Sequence, residues 1–119
     1  MKSFYEIYDK DTNEYILDNK YQEILVLDKL LDYANIPHET KRLFDGWQII
    51  YPKDGACRIC DAIEHFGSYG SEQDLLEIMG LISDEEEKYD SIVGFLTAND
   101  VFERIKNHYE SNGGTVKNV

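Results

Sequence analysis

The chain has 119 residues, 42% of them hydrophobic and 13% aromatic, and a formal net charge of −12. That length fits one domain, and the apolar share is too high for a disordered chain. The negative charge excludes nucleic acid and anionic membrane as electrostatic partners and favours a basic protein surface.

Residues 4–8 and 15–17 are rich in aromatic and β-branched side chains. The turn-forming cluster Asp9, Lys10, Asp11, Thr12, Asn13 lies between them, so a β-hairpin is expected. This cluster imitates the start of a calcium loop. It fails because Glu14 replaces the needed glycine and Lys20 the bidentate glutamate. Over residues 21–35 the period changes. Ile24, Leu27, Leu31 and Ala34 recur at helical spacing, and Asn35 with Pro37 ends the helix. Residues 40–44 and 47–51 read as a second hairpin about Asp45-Gly46, a pair that accepts the positive φ of a tight turn.

From Cys57 onward the spacing predicts helices. One covers residues 58–66, and Ser71 caps another carrying Leu75, Leu76 and Met79. Ser83-Asp84-Glu85-Glu86 matches a capping box, and a last helix runs from Thr97 to Asn112 with Val101, Ile105 and Tyr109 on one face. The expected fold is α+β in the order ββαββααα(α). It has a small antiparallel sheet of two hairpins, one N-terminal helix and a mostly helical C-terminal half. The domain is expected over residues 1–112, with a flexible tail over 113–119.

The charge is uneven along the chain. Residues 61–90 hold ten acidic side chains against Lys88 alone, a net charge of −9. A helix dipole favours carboxylates in the first turn, which accounts for Asp84, Glu85 and Glu86. It does not account for Asp61, Glu64, Glu72, Asp74 and Glu77, which add to the excess without basic neighbours. The carboxylates can be a solvated surface, a recognition surface for a basic partner, or a catalytic or metal group. The second reading assigns partner binding to Asp84, Glu85, Glu86, Glu87 and Asp90, supported by Glu72, Asp74 and Glu77.

Cys57-Arg58-Ile59-Cys60 is a C-x-x-C, open to three readings: buried structural cysteines, a metal site or a redox pair. Zinc needs three or four ligands. His65 lies five residues after Cys60, about 500° further round a helix, so the two share a face poorly. Gly67-Ser68-Tyr69-Gly70-Ser71 lacks the lysine of a phosphate loop and reads as a helix–helix turn. The expectation is a protein that is not an enzyme and holds no cofactor. No apolar run approaches the ~20 residues of a membrane span. Residues 1–6 lack the apolar segment of a secretion signal, so a cytoplasmic protein is expected.

Several segments together carry a family resemblance. They are Phe44-Asp45-Gly46-Trp47-Gln48-Ile49-Ile50-Tyr51-Pro52, Ile59-Cys60-Asp61-Ala62-Ile63, Leu75-Leu76-Glu77-Ile78-Met79-Gly80-Leu81, Val93-Gly94-Phe95-Leu96-Thr97-Ala98 and Val101-Phe102-Glu103-Arg104-Ile105. Over residues 36–109 the chain resembles small proteins encoded by phages and prophages of Gram-positive bacteria. The resemblance transfers no site residue. It implies a bacterial host cytoplasm and a protein that binds and disables a host protein. Anti-CRISPR and anti-restriction proteins can do so by presenting carboxylates where the target expects DNA phosphates. The expectation is a non-catalytic inhibitor whose 61–90 surface docks on the basic nucleic-acid-binding cleft of a host defence protein, such as a CRISPR nuclease. Two alternatives stay open. One is a binder of a small molecule or signalling nucleotide, using the aromatic residues near Trp47 and Tyr51 with the loop 67–71. The other is a metal protein built on Cys57 and Cys60.

Overall fold

The computed structural model describes residues 5–9, 14–18 and 21–116. Strands β1 (Tyr5–Asp9) and β2 (Glu14–Asp18) pair antiparallel as a separate two-stranded sheet, with Tyr5 opposite Asp18 and Asp9 opposite Glu14. This is the first expected hairpin. Its turn residues 10–13, and the part of the expected tail beyond residue 116, lie outside the described residues.

Helix α1 (Gln22–Tyr33) buries Ile24, Leu27 and Leu31, the apolar stripe set by their spacing. Asn35, at φ 59°, ends it in the left-handed conformation that asparagine tolerates, and the Ile36 amide returns to the Leu31 carbonyl at 3.0 Å.

Five antiparallel strands follow one another in space as they do in sequence: β3 (Glu39–Leu43), β4 (Gly46–Tyr51), β5 (Cys60–Glu64), β6 (Leu76–Met79) and β7 (Ile92–Leu96). A short helix α2 (Asp84–Glu87) joins β6 to β7, and α3 (Ala98–Ser111) closes the chain's last long element. Ala62 stands opposite Ile49 on one side and Ile78 on the other. The inward residues of these strands meet α1 and α3, which pack together over one sheet face. Each large apolar side chain buried there contributes roughly 1.5–3 kcal/mol. Ile50, on the other face of β4, is also fully buried but stands outside this cluster.

The class α+β holds, and so does the hairpin at 40–51. The expected order ββαββααα(α) does not, nor does its mostly helical second half. Residues predicted as helices at 58–66 and 75–79 contain strands β5 and β6, and a third strand, β7, precedes the last helix. Burial there alternates with a period of two. Cys60, Ala62 and Glu64 point inward from β5, as do Leu76 and Ile78 from β6, while Met79 is exposed. Cross-strand pairing overrode the apparent helical spacing of Leu75, Leu76 and Met79.

The tight turn of the second hairpin is Phe44-Asp45, one residue earlier than expected. Leu43 pairs with Gly46, and Phe44 takes the positive φ of 54°. Gly46 belongs to the strand, where a Cβ would collide with the Glu64 carbonyl oxygen. The cap expected at Ser71 does not form, because Ser71–Gln73 is a 3-10 turn that follows Gly70, whereas the box expected at Ser83 does. Ser83 and Glu86 complete the capping box of α2, and Thr97 and Asp100 that of α3. Glu23 of α1 adds a further acceptor, its Oε2 taking the Ala98 amide at 2.6 Å. Beyond α3, Val116 packs against the core. Among the described residues, no helix is long and apolar enough to cross a membrane.

Candidate functional site

The carboxylates of the 61–90 window have separate surroundings. Asp61 accepts from Gln48 Nε2 at 2.9 Å, and Glu77 Oε1 accepts the Tyr69 amide at 2.9 Å. Glu64 is fully buried beneath α1. Glu86 is held from two sides. Its Oε1 accepts the Ser83 amide at 2.8 Å, and the Arg104 guanidinium donates to Oε1 at 2.8 Å and Oε2 at 2.7 Å. That fork, helped by the Ser83 amide, holds the Glu86 carboxyl at about 2. Arg104 also donates to the Leu81 carbonyl at 3.0 Å, so α2 and its approach are fastened to α3.

Asp84, Glu85, Glu87 and Asp90 remain exposed around α2. Among the described residues none of these four joins an ion pair. Tyr89 stands among them with 91% of its surface exposed. Glu72 and Asp74 are also exposed, but they lie within and just after the 3-10 turn Ser71–Gln73 that precedes β6, whereas α2 follows its end. The expected patch is therefore divided: one group around residues 84–90, another at 72–74, at opposite ends of a strand.

The helix expected over residues 58–66, carrying Cys60 and His65, is absent. Cys57 sits in an exposed loop before β5, and Cys60 opens that strand facing the core. Burial, with Asp61 adding its charge, pushes the Cys60 thiol up to about 12, so it is not poised as a nucleophile or ligand. His65 lies past the end of β5, with its ring 5.1 Å from that of Phe44 and 5.6 Å from that of Phe66. Its Nδ1 accepts the Gly67 amide at 3.0 Å.

The ligand atoms that do converge among the described residues belong to Asp28, Asp32 and His38, all within 4.8 Å of one another. Asp28 and Asp32 project from the same side of α1, and His38 approaches from the segment leading into β3. Sequence reasoning passed over this group. Its one signal was an Asp-x-x-x-Asp spacing followed by a histidine beyond the helix stop, which means little until the chain reversal at residues 34–38 is known.

The residues suggested for a small ligand have separate surroundings. Trp47 lies beneath the Arg42 guanidinium, 4.5 Å from the ring centre, and Tyr51 is buried with its hydroxyl 2.7 Å from His108 Nδ1. The loop 67–71 instead lines a shallow depression of about 240 Å³ with Phe66 and Phe95. A larger open cleft of about 600 Å³ runs between Ile82 and α3, but its one arginine, Arg104, is committed to Glu86 and Leu81.

No family model matches the chain, and no curated protein or solved structure matches it.

Proposed function

We propose that the protein acts by binding, without catalysis, a basic surface of another protein through the α2 loop. Asp84, Glu85, Glu87 and Asp90 supply the charge and Tyr89 the apolar anchor. One observation carries this reading: a tyrosine 91% exposed stands among four exposed carboxylates that have no cationic partner among the described residues. Tyrosine at the centre of a contact contributes area at low entropic cost, and unpaired carboxylates steer a cationic surface towards it. Glu86 drops out of the contact because Arg104 holds it, and it serves instead to brace the loop. Glu72, Asp74 and Glu77 are secondary, since they lie away from Tyr89 along β6. The phage resemblance of residues 36–109 makes a nucleic-acid-binding cleft of a host defence protein, such as a CRISPR nuclease, the partner we favour.

The test is affinity capture from a bacterial host lysate, with the parent chain beside Glu85→Lys/Glu87→Lys and Tyr89→Ala. The expected result is a retained basic protein that both variants lose and that elutes as salt rises, because screening acts within ~8 Å at physiological ionic strength. Equal retention by the charge-reversed variant would sink the reading. A purified CRISPR nuclease then serves as the direct assay, its cleavage slowed by the parent and not by the variants.

A further inference from the structure

We propose that Asp28, Asp32 and His38 form a binding site for a divalent transition-metal ion, with zinc the best match. Asp28 and Asp32 are one turn apart on α1 and so lie on one face. The His38 side chain is only 7% exposed, and its Nδ1 stands 2.7 Å from the Ile36 carbonyl oxygen. A carbonyl oxygen only accepts, so Nδ1 carries a hydrogen and Nε2 is the position left to interact. Nε2 lies 2.9 Å from Asp28 Oδ1 and 3.1 Å from Asp32 Oδ1. A bare imidazole lone pair and two carboxylates repel one another at such distances, so the geometry calls for a cation among them. A proton on Nε2 meets that need by making an ion pair. A metal ion meets it too, and bonds of about 2.0–2.1 Å would part Nε2 from the two carboxylate oxygens by only a few tenths of an ångström.

Three features favour a metal. The backbone carbonyl on Nδ1 fixes tautomer and ring orientation, as the outer contacts of metal-bound histidines do. The Thr40 hydroxyl, reaching across from β3, donates to Asp28 Oδ1 at 2.5 Å and aims that carboxylate. An open cleft of about 380 Å³, lined by Asp32, Asn35, His38 and Tyr109, provides an entry path and room for water as a fourth ligand. One imidazole with two carboxylates suits zinc better than calcium, which takes six to eight oxygens, or copper(I), which selects sulfur. The site is separate from the α2 loop, and neither proposal depends on the other.

The test is calorimetric titration of the full chain with zinc chloride. It is carried out in a Cys57→Ser background, which removes the exposed thiol as a competing ligand. The expected result is one saturable zinc per chain, bound at least tenfold more weakly in His38→Gln and in Asp28→Asn. A zinc-dependent rise in Tm should accompany it in the parent and vanish in both variants. Asp32→Asn, at a side chain 67% exposed, provides the same comparison should either of the other two variants fail to fold. Absence of saturable binding, or binding as tight in Asp32→Asn and His38→Gln as in the parent, overturns the proposal and leaves a histidine–aspartate ion pair.

Discussion

Glu64, the last residue of β5, accepts the backbone amide of Ile24 in the first turn of α1 at 3.0 Å, across forty positions of sequence. The helix needs this help. Its N-cap residue, Tyr21, sits in the left-handed region at φ 59° and makes no side-chain cap. The other carboxyl oxygen, Oε2, is buried with no hydrogen-bond partner among the described residues. Burial therefore dominates and, opposed by the Ile24 amide but reinforced by Asp74 and Glu23, raises the Glu64 carboxyl to about 7.

This value sets a pH dependence. The folded state holds the Glu64 proton more tightly than the unfolded chain, whose glutamates titrate near 4.5. The resulting stabilisation is complete below 4.5 and disappears as pH rises through about 7. Urea unfolding should show stability falling by on the order of 2–3 kcal/mol between about pH 5 and 8.5. Glu64→Gln keeps an acceptor for the Ile24 amide and should flatten that slope. A parent protein equally stable at both pH values contradicts the account.

The Arg104 fork works in the opposite direction. It holds the Glu86 carboxyl at about 2, so its contribution is present above 4.5 and fades as pH falls towards 2. Both side chains are less than one-third exposed, at 26% and 29%. Arg104→Ala should cost about 1–2 kcal/mol by thermal unfolding at neutral pH. Arg104→Lys should recover only part of it, because a single ammonium cannot reproduce two parallel hydrogen bonds.

Gly46 admits no side chain where β4 meets the end of β5, since a Cβ would meet the Glu64 carbonyl and the His65 backbone. Gly46→Ala should lower stability by about 3 kcal/mol or more, or prevent folding. Gly55→Ala is the control for steric crowding. It has a positive φ of 100° but no atom near its Cβ, so its smaller cost reflects backbone strain alone.

The two cysteines should react differently. Cys57 is exposed and Cys60 buried, with its thiol raised to about 12. A native titration with a thiol reagent at pH 8 should therefore modify Cys57 quickly and Cys60 only in denaturant. Equal reactivity in the folded protein would place Cys60 outside the core.

The elements legible from sequence were those governed by local rules. The stripe of Ile24, Leu27 and Leu31, the box at Ser83–Glu86, the helix start at Thr97 and the turn ahead of Trp47 each depend on residues a few positions apart. The strand at 60–64 was hidden because its inward positions include a charged residue, Glu64, and small ones, Cys60 and Ala62, and the strand at 76–79 because the apolar Leu75 and Met79 flank its inward pair Leu76 and Ile78. Alternation fails as a signal when the buried set is not uniformly apolar. The acidic window was visible as composition, but its division was not. Arg104, which removes Glu86 from the surface, lies eighteen positions away and becomes its neighbour only through the β6–α2–β7 path. The same holds for His38, brought to Asp28 by the turn at Asn35.

The remote capping of α1 bears on how the chain reaches its folded form. A helix of twelve residues is marginal by itself in water, and α1 lacks a side-chain cap at its N-cap residue. The missing acceptor arrives only with β5, after both β3 and β4 have been laid down. A peptide cut to the first helix should therefore remain unwound, and synthesis must pass the fifth strand before that segment can settle. On these terms the first helix and the strands that cap it form together rather than in turn.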